Sequence, residues 1–309
     1  MTTPAPRLFL VMNPSSRSFR SREVWPALFD GLRQRRVAFD FALTTKEGDP
    51  ADLAREAVAR GFDPIVAVGG DGTINDVING LFGPRDERAR AAFGVVYTGT
   101  SPDFCGNHGI PLALEPALDL LVANRRRRVD VCRITHQVSA GGPAVIRIFS
   151  CCANFGLGAA VARGANSGLR RRFRDGPGTF LALVGAITRY GTPTFRLRLD
   201  GRDLVFPRMF NLFVGKGPLV ASGIKLAIDI APDDGRFYVL PLHSLTKTRL
   251  LALLPQVYTG RITRRFPPLF GRCLEILPCP EAPEVEYDGD PRGSLPAEIR
   301  LLPRALDLI

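Results

Sequence analysis

One stretch, IVAVGGDGTINDVINGL at residues 65–81, constrains the chain more than any other. Its lead-in, Pro64 to Val68, is apolar without alternation, which predicts a strand covered on both faces. The strand runs into Gly69-Gly70-Asp71-Gly72-Thr73, and helical character is predicted over Asn75 to Leu81. A turn without side chains lets backbone approach a phosphate closely, and the amides opening a helix add positive potential there. Thr73 can cap that helix or touch a phosphate. Asp71 is the unexpected member, because a carboxylate beside a phosphate repels it. A bound Mg²⁺ or a part in proton removal makes sense of the acid. A hairpin turn or an ordinary helix cap explains a Gly-Gly pair, but not strand, turn and helix in one run. The chain has neither a GxxxxGK[ST] P-loop nor a GxGxxG fingerprint.

The surroundings supply more alternation of the same kind. Arg7 to Met12 predicts a buried strand that stops at Asn13-Pro14. Ser21 to Arg36 carries Val24, Leu28 and Leu32 at helical spacing. Ala38 to Leu43 predicts a second strand. Asp49 ahead of Pro50 predicts the capped start of a helix reaching Arg60, and Phe93 to Tyr97 predicts a fourth strand. Strands alternating with helices imply a parallel sheet clothed on both sides. Beyond Val129 the pattern changes to strands at 130–135, 145–152, 194–199, 204–214, 237–242 and 272–277. Helices are predicted at 179–190 and 247–258. That is the pattern of an antiparallel sandwich or barrel with inserted helices.

Composition narrows the partners. The net charge of +11 calls for an anionic partner, yet only four of the basic residues are lysines (Lys46, Lys216, Lys225, Lys247). Arg125–Arg128 and the Arg170–Arg174 segment, which holds Phe173 and precedes an apolar helix, suit an anionic lipid surface as well as a solvated face. No nucleic-acid motif accompanies the charge, so nucleic acid is not expected as a partner. Six cysteines without a CxxC pair read as reduced, buried thiols. No apolar run approaches eighteen residues, and the N-terminus does not read as a signal peptide; a cytoplasmic protein lying peripherally on a membrane is expected.

The Gly69–Thr73 pentapeptide and the Asn75-Asp76-Val77-Ile78-Asn79-Gly80 that follows resemble the diacylglycerol kinase catalytic domain family, which includes bacterial lipid kinases and sphingosine kinases. The pentapeptide also occurs in NAD kinases and phosphofructokinase-like folds. Further matches narrow the choice: Asn13-Pro14-Ser15, Thr44 ahead of Gly48-Asp49, Gly99-Thr100-Ser101-Pro102-Asp103-Phe104 and Gly109-Ile110-Pro111. Asp130-Val131, Asn154–Gly158, Pro232–Gly235 and Asp288-Gly289-Asp290 are similar to later family motifs in the same order.

The resemblance implies an α/β fold: an N-terminal doubly wound, phosphofructokinase/NAD kinase-like nucleotide lobe and a β-rich sandwich C-terminal lobe. The implied domains are 1–130 for ATP, with 298–309 returning to it, and 131–297 for the lipid substrate. It implies transfer of the ATP γ-phosphate to a lipid hydroxyl, diacylglycerol first. A sphingoid base or another long-chain alcohol is an alternative acceptor, and a catalytically silent binding relative is an alternative role. ATP would meet Asn13, Thr44, Gly69, Gly70, Asp71, Gly72, Thr73, Asn75 and Thr100. Asp71 and Asp103 would surround catalytic Mg²⁺, Asp290 would be the general base, and Asp234 would bind a structural Mg²⁺ completed by backbone carbonyls. A homodimer is a further candidate assembly. Four departures fall on the acceptor side: Pro102 and Cys151 where the family has Asn, Asp290 where it has Glu, and Gly215-Lys216-Gly217 in place of Asn-Gly.

Overall fold

The computed structural model describes residues 7–16, 20–45, 49–159, 184–221, 223–281, 283–287 and 290–309. They form two compact units. The first draws on residues 1–131, 221–223 and 302–309, the second on 132–220 and 224–301. The Arg170–Arg174 cluster, Gly48 and the Asp288-Gly289 pair lie outside the described residues.

In the first unit, strands β1 (Arg7–Met12), β2 (Ala38–Leu43), β3 (Ile65–Gly69) and β4 (Phe93–Tyr97) make a parallel sheet in the order β2-β1-β3-β4. Helices α1 (Trp25–Gln34), α2 (Pro50–Ala59), α3 (Asp71–Leu81), α4 (Asp103–His108) and α5 (Leu114–Ala123) connect them. Alternate strand residues Leu8, Leu10, Met12, Val66, Val68 and Val96 pack with Leu28 and Leu32 of α1 and Leu118 and Leu121 of α5. The intervening Phe9, Val11, Ile65 and Ala67 are also buried, so β3 and, from Leu8 on, β1 are covered on both faces and apolar. On the α2–α3 side, a Cβ at Gly80 would stand 2.3 Å from the Ala51 carbonyl, so only glycine admits this crossing. Asp49 caps α2 by accepting the Ala51 N–H at 2.9 Å.

Two predicted elements change shape. The helix over 21–36 starts as a 3₁₀ turn, Arg20–Val24, and becomes α-helical at Trp25, ahead of Pro26. The helix predicted from Asn75 begins four residues earlier, at Asp71, because the polar first turn carries no apolar periodicity.

The second unit is an antiparallel β-sandwich. Its strands are β5 (Arg127–Gln137, entering from the first unit), β6 (Ala144–Phe149), β7 (Cys152–Gly156), β8 (Phe195–Leu199), β9 (Arg202–Phe206) and β10 (Asn211–Gly215). Then come β11 (Leu219–Val220), β12 (Ile224–Lys225), β13 (Phe237–Leu242), β14 (Leu269–Gly271), β15 (Cys273–Ile276), β16 (Glu284–Tyr287) and β17 (Asp290–Leu308). The path β14-β13-β10-β7-β16-β17 carries one wall, while β8 and β9 extend from β15. Phe155, Leu212, Val214, Phe237 and Val239 face a core shared with Ile134, Leu197, Leu274 and Ile299. Their alternates Phe210, Tyr238 and Leu240 pack instead with Leu250, Leu253 and Leu254 of α6 (Lys247–Tyr258). Covering on both sides explains why all six residues of β13 are buried.

The strand predicted over 204–214 is two strands, because Pro207 and Arg208, the latter at φ 49°, turn the chain between them. Likewise 145–152 divides at Ser150-Cys151 into β6 and β7. Residues 302–308 of β17 belong to the first unit, where Leu308 pairs in parallel with Phe93.

Candidate functional site

The turn after β3 is built by close backbone packing. Gly70 is the N-cap of α3 at φ −96° and ψ −173°, and its carbonyl accepts the Ile74 N–H at 3.0 Å. A Cβ at Gly69 would lie 2.5 Å from the Thr73 side chain. One at Gly99 would lie 2.5 Å from the Gly70 Cα. Both positions therefore exclude side chains on packing grounds alone. Gly72 differs: nothing lies within 4 Å of a Cβ built there. Its lack of a side chain leaves open space over the first turn of α3, where helix amides without intrahelical partners concentrate positive potential.

Asn13, at the end of β1, donates from Nδ2 to Thr73 Oγ1 at 2.8 Å, so the loop after β1 is tied to the third residue of α3. Ser16 Oγ donates to the Thr98 carbonyl at 3.1 Å, joining the same loop to the end of β4. Thr44 continues β2, its N–H donating to the Met12 carbonyl at 2.9 Å, and is buried. Thr100 is exposed beside Gly99. The structure thus gathers Asn13, Gly69, Gly70, Gly72, Thr73 and the Gly99 loop at the C-terminal ends of parallel strands, where ligands of open α/β sheets bind. Asn75 sits one turn deeper, 2% exposed, accepting from Asn79 Nδ2 at 3.1 Å.

The acids of this unit are coupled. Asp71 Oδ2 accepts the Asp103 backbone N–H at 3.1 Å, and Asp103 Oδ1 accepts the Gly223 N–H at 2.7 Å. Their field is felt by neighbours. Burial and then the Asp71 charge push the Cys105 thiol up to about 12. The Tyr97 phenol, which accepts the Ser101 N–H at 2.7 Å, is raised by the same two causes in the same order. Asp71 is partly buried and Asp103 is 8% exposed.

In the second unit Asp234 stands in the turn before β13. Its Oδ1 accepts from Lys216 Nζ at 2.6 Å and its Oδ2 from Arg236 Nε at 3.0 Å. Burial raises the Asp234 pKa, but the bonds from Lys216, Arg236 and the Ala231 N–H outweigh it and leave the carboxyl below its ordinary value. Asp290 opens β17, paired with Tyr287 of β16.

Two family models match the chain in series: the diacylglycerol kinase catalytic domain over residues 7–134 and the YegS C-terminal NAD kinase beta sandwich-like domain over 152–309. A Xanthomonas oryzae pv. oryzae protein named "Probable lipid kinase YegS-like" is 30% identical over 74% of this chain and 72% of its own. The "Diacylglycerol kinase" of Mycobacterium tuberculosis is 26% identical over 84% and 81%. The chain belongs to the YegS-like lipid kinases, with a diacylglycerol kinase catalytic domain at its N-terminal side. Among solved structures, a diacylglycerol kinase from Bacillus anthracis superposes with TM-score 0.75 at 19% identity, over 99% of this chain and 98% of that one. Yeast NADH kinase complexed with NADH gives 0.53 at 13%, over 99% and 83%. These likenesses show the fold: a doubly wound α/β unit followed by the β-sandwich characteristic of diacylglycerol and NAD kinases. Among the described residues no helix is long and apolar enough to cross a membrane.

For a YegS-like lipid kinase, two features of the sandwich unit escape sequence reading. Lys216 sits where the family motif departs, and its partner Asp234 is 18 residues away, beyond any local spacing rule. Glu286, 5% exposed, accepts from Asn154 Nδ2, and Asn154 Oδ1 accepts from Asn211 Nδ2 at 3.1 Å. The alternation of Glu284-Val285-Glu286-Tyr287 signals a strand with a polar face and gives no hint that Glu286 is inside.

Proposed function

We propose that this chain transfers the γ-phosphate of ATP to a lipid hydroxyl, with diacylglycerol as acceptor and phosphatidic acid as product. The observation that carries the reading is the open space over Gly72 at the start of α3, beside Asp71, whose carboxylate accepts the Asp103 backbone N–H. Phosphoryl transfer asks a protein mainly to position the groups and stabilise charge. In this reading Asn13, Thr44, Gly69 to Thr73, Asn75 and Thr100 line the ATP site in a nucleotide domain of 1–130 and 298–309. The lipid belongs to 131–297.

Asp71 and Asp103 offer the hard oxygens that Mg²⁺ takes, and Mg²⁺ at such sites is held by one or two carboxylates together with substrate phosphates. When bound, the ion neutralises charge on the phosphate chain. Asp290 takes the hydroxyl proton as general base. A surface carrying the +11 charge favours work at an anionic membrane.

A second reading, nucleotide binding without turnover, is favoured by Pro102. It is the N-cap of α4 and makes no side-chain cap bond. The deciding assay supplies the purified chain with Mg²⁺, γ-labelled ATP and mixed vesicles containing diacylglycerol. Label in phosphatidic acid, absent with Asp71→Asn, is expected. Label in a sphingoid base or another alcohol instead reassigns the acceptor, and nucleotide binding with no labelled lipid sinks the kinase reading.

A further inference from the structure

The family resemblance calls for a structural Mg²⁺ at the turn containing Asp234, held by that carboxylate and backbone carbonyls. The residues present do not fit one. Lys216 Nζ lies 2.6 Å from Asp234 Oδ1 and 2.6 Å from the Ala231 carbonyl oxygen, so an ammonium already holds a carboxylate and a carbonyl of the kind a divalent ion would take. The second carboxylate oxygen accepts from Arg236 Nε at 3.0 Å and from the Ala231 N–H at 3.2 Å. Two cations thus face one anion. A divalent ion would have to displace an ammonium whose side chain is 1% exposed and then sit beside two positive charges.

Lys216 is anchored for this position. It follows β10 directly, and its N–H donates to the Cys151 carbonyl at 2.9 Å, at the break between β6 and β7. The ammonium reaches the turn at 231–236 from the neighbouring strand, because β10 and β13 are paired with Gly215 opposite Tyr238. Arg236 completes the closure by donating from Nη2 to the Asp229 carbonyl at 3.1 Å.

We propose that the Lys216 ammonium is a built-in replacement for the structural metal: a covalently attached cation that closes the 231–236 turn, so that the sandwich unit folds without a divalent ion. Any metal requirement of the chain then belongs to its nucleotide. This inference goes beyond the kinase reading and depends on neither nucleotide nor acceptor.

The test uses the full chain without nucleotide. Mn²⁺ uptake is measured by electron paramagnetic resonance for wild type and Asp234→Asn, and thermal unfolding is followed in chelator and in millimolar Mg²⁺. Equal Mn²⁺ uptake by the two proteins is expected, with a wild-type Tm indifferent to Mg²⁺. Lys216→Met leaves a partly buried carboxylate with half its cationic partners, and its Tm is expected to fall by roughly 6 °C or more. One extra Mn²⁺ equivalent in wild type that Asp234→Asn loses would overturn the proposal. So would a Lys216→Met protein as stable as wild type. If Lys216→Met does not fold, the Mn²⁺ comparison decides alone.

Discussion

The Asp71 carboxylate accepts the backbone N–H of Asp103 at 3.1 Å, so the first residue of α3 and the first residue of α4 are fixed to each other. An acid at the start of a helix is stabilised by the helix dipole, and Asp71 and Asp103 each open a helix. Burial first, and then the Asp71 charge, raise the Tyr97 phenol and the Cys105 thiol.

Asp71→Asn keeps an oxygen able to accept the Asp103 N–H while removing the charge. The fold is expected to survive, with a Tm close to wild type. Lipid phosphorylation is expected to fall at least a hundredfold, the scale on which a single electrostatic group acts in catalysis. Steady-state kinetics beside a thermal melt checks both halves. An active Asp71→Asn enzyme removes Asp71 from the chemistry.

The glycines of the turn divide by cause, and alanine substitution separates them. Gly99→Ala would drive a Cβ to 2.5 Å from the Gly70 Cα, and overpacking of this kind costs about 1–3 kcal/mol or more. Gly72→Ala meets nothing and places a better helix former in α3, a gain of up to about 1 kcal/mol. Calorimetry is expected to show Gly72→Ala at least as stable as wild type yet at least tenfold weaker for ATP. Unimpaired ATP binding by Gly72→Ala would place the phosphates elsewhere.

How much of this was readable in advance follows the range of the interactions. Strands β1, β3 and β4 announce themselves because burial on both faces makes each an apolar run, whereas edge strand β2 is half exposed and alternates only weakly; the Asp49 cap acts over two residues. The first turn of α3 is invisible to periodicity, since Asp71, Gly72 and Thr73 are not apolar. Six-residue α4 is too short to show a period at all. β17 was legible only from Glu298, because Pro291 and Gly293 near its start read as turn residues. The candidate site residues of the α/β unit cluster in short motifs, which is why a reading along the chain can propose them. The Lys216–Asp234 pair depends on two strands lying side by side, which no window along the chain contains.

Acid should act on that pair in a definite direction. The folded Asp234 carboxyl titrates below its unfolded value, so its contribution to stability is present above the unfolded pKa of about 3.9. The contribution is lost as pH falls through the lower, folded pKa. Denaturant melts between neutral pH and pH about 2 are expected to show wild type losing stability more steeply on the acid side than Asp234→Asn. Parallel acid limbs for the two proteins would mean that Asp234 gains nothing from its cations.

As the proposed general base, Asp290 should separate binding from chemistry. It opens β17 in the sandwich unit, whereas the turn assigned to ATP lies wholly in the α/β unit, so its loss should leave nucleotide affinity untouched. A general base contributes typically 10²–10⁴-fold, and Asp290→Asn is expected to lower kcat by about that factor. Asp290→Glu extends the carboxylate by one methylene. A shift near 1 Å changes rates by about a hundredfold, so a working aspartate should be impaired by the longer acid. Activity that rises in Asp290→Glu would instead mark the native residue as a weakened base. Activity unchanged in Asp290→Asn, with ATP still bound, would move the proton acceptor to another residue.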